Sequence, residues 1–70
     1  MSRWAGAKSG RVLAALFRIG WREKRITGSH RVLEREGLPN VVFAYHEGVE
    51  IGPRALARLA KETGLSPEDL

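Results

Sequence analysis

Residues 20–46 read GWREKRITGSHRVLEREGLPNVVFAYH, and the fold hinges on this stretch. It holds three runs rich in β-branched and aromatic side chains, Trp21–Thr27, His30–Arg35 and Val41–His46. Two clusters of turn formers separate them, Gly28-Ser29 and Gly37-Leu38-Pro39-Asn40. Connections this short cannot carry a crossover, so successive strands must run antiparallel and the stretch reads as a three-stranded meander. The alternation of apolar and polar side chains is imperfect, and it does not say which face of the sheet is buried. If Gly37-Leu38-Pro39 makes the second connection, Glu36 faces Asn40. His30 then stands opposite His46, with both rings on one face.

Helices flank the meander. Upstream, Ser9 is placed to cap a helix from Gly10 to Ile19 that Gly20 stops. Val12, Leu13, Leu16, Phe17 and Ile19 fall on one side of it, and Lys8, Arg11 and Arg18 on the other. Downstream, Pro53 suits the first position of a helix and Gly64 its end. Leu56, Leu59, Ala60 and Thr63 form an apolar stripe there, with Arg54, Arg58 and Lys61 roughly 180° away. Ser66-Pro67-Glu68-Asp69 reads as the capped start of one further turn. Residues 1–8, small and polar around Trp4, are expected to fray. Trp4, Phe17, Trp21 and Phe43 are expected in or near the core, with Trp21 anchoring the sheet to the first helix, while Tyr45 is free to stack on a base. The order α-β-β-β-α makes residues 1–70 one α+β domain. Both helices cover one face of a three-stranded antiparallel sheet, and the other face stays open.

Seventy residues with 43% hydrophobic and 29% charged side chains have the make-up of one globular domain rather than of a disordered chain. No apolar run approaches the roughly 18–20 residues that span a bilayer, and Met1 to Gly10 lacks the apolar core of a signal peptide. No membrane association is expected, and the cytoplasm is the expected compartment. The chain has no cysteine, which rules out disulfides and thiolate metal sites. Its carboxylates show no metal-binding spacing, its two histidines stand sixteen apart with no third ligand in step, and no phosphate-cradling glycine loop is present. Neither a metal nor a cofactor is expected. Lysine and arginine number 12 against 8 acidic residues, a net charge of +4 and a pI near 10.4. That balance suits nucleic-acid binding, and it suits an inert basic surface equally.

Gly28-Ser29-His30 carries the most chemistry. The turn delivers an imidazole to the head of the second strand, and histidine moves protons near neutral pH. Arg22, Lys24, Arg25 and Arg31 lie around it in sequence, so a phosphodiester there would meet positive charge beside a proton carrier. RNA brings its own nucleophile, the 2′-hydroxyl. A plain hairpin turn with an idle, solvated histidine accounts for the same residues, and local chemistry leaves both readings open. The basic stripe Arg54, Arg58 and Lys61 is likewise either a solvated helix face or a phosphate contact.

From Gly20 to Asp69 the chain resembles the HicA family of mRNA interferases, the toxin halves of bacterial toxin–antitoxin pairs. The matching residues are Gly20-Trp21, Arg25, Gly28-Ser29-His30-Arg31-Val32, His46, Glu50, Ile51, Pro53, Leu56 and Gly64-Leu65-Ser66-Pro67-Glu68-Asp69, all without a gap. The resemblance implies a fold like a double-stranded-RNA-binding domain, cleavage of mRNA or other single-stranded RNA, and inhibition by a HicB-type antitoxin. It implies that His30 is the required catalytic histidine and makes His46 a candidate second acid or base. Lys24, Arg25, Ser29, Arg31, Arg54, Arg58 and Lys61 are then the expected RNA contacts. Arg54 stands where the family usually has glycine and Ile26 where a polar residue is common, departures that bear on substrate preference. A non-catalytic RNA-binding module on the same frame is the alternative.

Overall fold

The computed structural model describes residues 3–70. In chain order it contains β1 (Ala7–Lys8), α1 (Ser9–Arg18), β2 (Arg22–Thr27), β3 (His30–Glu34), β4 (Val41–Ala44), β5 (Glu50–Ile51), α2 (Pro53–Thr63) and a closing 3-10 turn (Pro67–Asp69). The expected α-β-β-β-α order is the body of this list. Strands β2, β3 and β4 form an antiparallel sheet in that order. The β2–β3 hairpin closes through Gly28 at φ +58°, a left-handed conformation open to glycine, while Ser29 stays at negative φ. That sequence of signs is a type II′ turn, whose twist suits a two-residue hairpin. The pairing of β2 with β3 shifts between Glu23 and Arg25, so Lys24 is the extra residue of a bulge.

The β3–β4 register differs from the sequence expectation. Leu33 pairs with Val41, Arg31 with Phe43 and His30 with Ala44. The reason lies in the connection. The Leu38 amide donates to the Arg35 carbonyl at 3.1 Å, so Arg35 and Glu36 are consumed by the turn instead of extending the strand. His46 is thereby pushed beyond the end of β4 and does not face His30.

Both helices pack on one face of this sheet. Leu33, Val41 and Phe43 share that face by register and are buried. They join one cluster with Val12, Leu13 and Leu16 of α1 and with Leu56 and Leu59 of α2. Fully burying a leucine or valine is worth about 1.5–3 kcal/mol, so this cluster holds the layers together. The opposite sheet face is uncovered, and Val42 on it is 62% exposed. Helix α2 ends as its sequence suggests, with Gly64 at φ +80° and its amide bonded to Ala60. The Ser66 cap also forms, with Asp69 accepting from the Ser66 amide and the Ser66 hydroxyl accepting from Glu68.

Three details depart from expectation, and a fourth goes beyond it. The fraying expected over residues 1–8 does not extend to Ala7 and Lys8, because they pair with Ile51 and Glu50 in a small antiparallel ribbon. Met1 and Ser2, included in that expectation, lie outside the described residues. Ser9 does not cap α1: Lys8 holds the cap position, and the buried Ser9 hydroxyl donates to the Val49 carbonyl brought over it by that ribbon. Trp21 is tied to the first helix as expected, its amide donating to the Leu16 carbonyl at 3.0 Å, and it reaches the second helix as well, its indole Nε1 donating to the carbonyl of Thr63 at 3.0 Å. Phe17 is 42% exposed, since it lies on the α1 flank beyond the edge of the sheet contact.

Candidate nucleic-acid interface

A strand sends alternate side chains to opposite faces, so the observed register sorts the candidate residues. His30, Thr27, Ala44, Val32 and Val42 belong to the open face, together with Arg25, which pairs with Val32. Arg25 is the diagonal neighbour of His30 across the β2–β3 ladder, a spacing of about 7–8 Å. Arg22 continues the same face one rung further, opposite Glu34. His30 is exposed, and among the described residues no hydrogen bond or ion pair holds its ring. The local cause is the type II′ turn, which starts β3 at His30 with its ring on the uncovered side. The hairpin end is held in place because the Tyr45 amide donates to the Ser29 carbonyl at 2.7 Å.

Arg31 is sent the other way. On the helix-side face its guanidinium pairs with the Glu23 carboxylate and lies over the Tyr45 ring, 4.4 Å from the centroid. Glu23 and Tyr45 therefore answer for Arg31, a contact that sequence reading misses because it depends on the Lys24 bulge for the Glu23 register. Tyr45 is half-buried under that stack rather than free on the open face. Lys24 is exposed at the bulge on the outer edge of the sheet.

Histidine 46 sits in the turn after β4, exposed, with its carbonyl accepting from the Val49 amide at 3.1 Å. Ala44, not His46, is the residue directly opposite His30. The stripe Arg54, Arg58 and Lys61 is exposed on α2, behind the sheet. Of these three, Arg58 reaches the β4 edge, where it lines a groove with Val42 and Ala44. The open face thus combines one accessible imidazole with Arg25, Arg22 and the nearby Lys24. That combination can bind a phosphodiester and move a proton beside it.

Among the described residues, no three histidine or carboxylate side chains gather where they could hold a metal ion. No helix among them is long and apolar enough to cross a membrane. Residues 9–65 match the family described as HicA toxin of bacterial toxin-antitoxin. No curated protein matches the sequence.

Proposed function

Since the chain belongs to the HicA toxin family of bacterial toxin–antitoxin systems, we propose that it is an endoribonuclease toxin, an mRNA interferase acting through His30. The observation that carries this reading is the placement of His30: accessible, unengaged, and on the same open face as Arg25 and Arg22. RNA lies with its phosphates against Arg25, Arg22 and Lys24, beside the Gly28-Ser29 turn. The 2′-hydroxyl oxygen attacks the adjacent phosphorus and the bond to the 5′-oxygen breaks. His30 either takes the 2′-hydroxyl proton or gives one to the departing oxygen, and water handles the other transfer. Arginine offsets the charge that builds on the phosphorane. The products are a 2′,3′-cyclic phosphate and a free 5′-hydroxyl.

One histidine carries this mechanism, because Ala44 rather than His46 stands directly opposite His30. Arg31 contributes by fixing the hairpin from behind, and the α2 cations Arg54, Arg58 and Lys61 serve at most as outlying phosphate contacts. A HicB-type antitoxin neutralises the toxin by covering the open face, and both act in the cytoplasm.

The test is cleavage of labelled RNA by purified protein in the presence of a chelator. Wild type is expected to cut RNA and spare the matching all-DNA strand. His30→Ala should lose about 10²–10⁴ in rate, the usual worth of general acid–base catalysis, while RNA affinity stays within a few-fold. Binding should fall steeply as salt rises. If His30→Ala cuts as fast as wild type, the assignment is wrong. If neither protein cuts but both bind, the chain is the non-catalytic RNA-binding module.

A further inference from the structure

The two edges of the sheet are unlike. The outer edge, β2, carries four charged side chains and a bulge, devices that discourage a further strand from pairing. The other edge, β4, reads Val41-Val42-Phe43-Ala44 and has no charge at all. Its hydrogen-bonding pattern follows from the ladder. Tyr45 donates to Ser29, so Phe43 and Val41, two and four residues back, also direct their peptide groups at β3. The N–H and C=O groups of Val42 and Ala44 therefore point outward. Among the described residues, no backbone hydrogen bond outside the helices and strands engages them.

Beside this edge runs a groove of about 370 Å³ between β4 and α2. Its floor is apolar, from Ile51, Ala55 and Leu59, and its rim carries one cation and one anion, Arg58 and Glu62. We propose that β4 pairs antiparallel with β4 of a second copy of this chain, joining two three-stranded sheets into one of six strands.

The edge is self-complementary in a way that selects a second copy as the occupant. A two-fold axis at Phe43 sets Val42 against Ala44 of the other copy, and Ala44 against its Val42. Both outward N–H groups and both outward C=O groups of each chain are then satisfied by four bonds. Val42, the most exposed large hydrophobic residue among the described residues, gains an apolar neighbour across the new ladder. The same axis runs the two α2 helices antiparallel below the sheet. Arg58 and Glu62 stand one helical turn apart, so each Arg58 is carried towards the Glu62 of the other copy, twice over. The net charge of +4 opposes association. Its β2 share, Arg22, Lys24 and Arg25, lies two strand spacings from the new contact, about 9–10 Å within each copy. That distance exceeds the Debye length of about 8 Å at physiological salt.

Sedimentation of the purified chain over a wide concentration range tests this. The mass should double as concentration rises. Val42→Lys, which puts a charge at the centre of the apolar edge, should return it to monomer without altering the circular dichroism spectrum. Arg58→Glu and Glu62→Arg should each weaken the dimer, and the two together should restore it. These last variants sit on an exposed helix face and remain informative if a strand variant fails to fold. A chain that stays monomeric up to millimolar concentration overturns the proposal. So does a dimer that ignores both Val42→Lys and the charge reversals. If the chain is monomeric and the Val42 and Ala44 amides gain hydrogen-exchange protection only on binding a different polypeptide, the edge belongs to that partner and not to a second copy.

Discussion

Replacing Trp21 by phenylalanine removes one hydrogen bond and one ring from the point where the sheet, α1 and α2 meet. Trp21 is 1% exposed, and its indole Nε1 donates to the Thr63 carbonyl at the last turn of α2. The hydroxyl of Thr63 is already engaged, donating to Leu59 at 2.8 Å and accepting from the Leu65 amide at 3.2 Å, so it cannot stand in for the lost donor. Leaving a buried carbonyl without that partner costs about 1–3 kcal/mol. The smaller ring leaves a void of a few tens of Å³, adding about 1 kcal/mol at about 24 cal/mol per Å³. A loss of about 2–4 kcal/mol results, against a total of about 3.5–10 kcal/mol for a domain this size at about 0.05–0.15 kcal/mol per residue. At about 4–8 °C per kcal/mol, the melting temperature should fall by at least about 8 °C. Urea and thermal unfolding followed by far-ultraviolet circular dichroism read both quantities. A loss under about 0.5 kcal/mol would refute the claim that this contact ties α2 to the sheet.

Gly28→Ala should destabilise the hairpin by about 1–2 kcal/mol through its left-handed φ alone, since a β-carbon there meets nothing within 4 Å. Gly28→Asn should cost less, and RNA cleavage should follow the same ranking if the turn positions His30. Arg31→Ala should cost about 1–2 kcal/mol of stability from the lost Tyr45 stack and the partly buried Glu23 pair, with little change in RNA affinity. A large drop in affinity with unchanged stability would return Arg31 to the RNA surface. The Ser66 hydroxyl, and after it Arg3, hold the Glu68 carboxyl below its ordinary value of 4.5. A depressed carboxylate stabilises the fold above pH 4.5 and loses that contribution as pH falls through the folded value. Wild type and Glu68→Gln should therefore differ slightly in urea midpoint at pH 7 and converge in acid. A difference that widens on acidification would contradict this.

Much of the architecture was legible in the chain because it rests on local chemistry. Gly28-Ser29 permits one kind of two-residue hairpin, Pro53 and Gly64 bracket a helix, and Ser66 with Asp69 forms a cap within four residues. The stripes of Val12, Leu13 and Leu16 and of Leu56 and Leu59 depend only on helical period, and they do face one core. His30 at the head of a strand follows from the same turn.

Tertiary contacts settled what depended on residues far apart. The Arg35–Leu38 turn shifted the β3–β4 register by two and put Ala44 rather than His46 opposite His30, and nothing in the alternation of side chains foretold it. The Lys24 bulge set Glu23 beside Arg31, so the arginine next to the histidine in sequence is held by a carboxylate of the neighbouring strand. Pairing of Ala7 and Lys8 with a strand more than forty residues later ordered a segment whose own composition suggests fraying. Local propensity reads the turns and caps because their partners lie within a few residues. Strand register, the buried face and the two unlike edges of the sheet depend on which distant groups satisfy one another, and only the assembled chain brings those groups together.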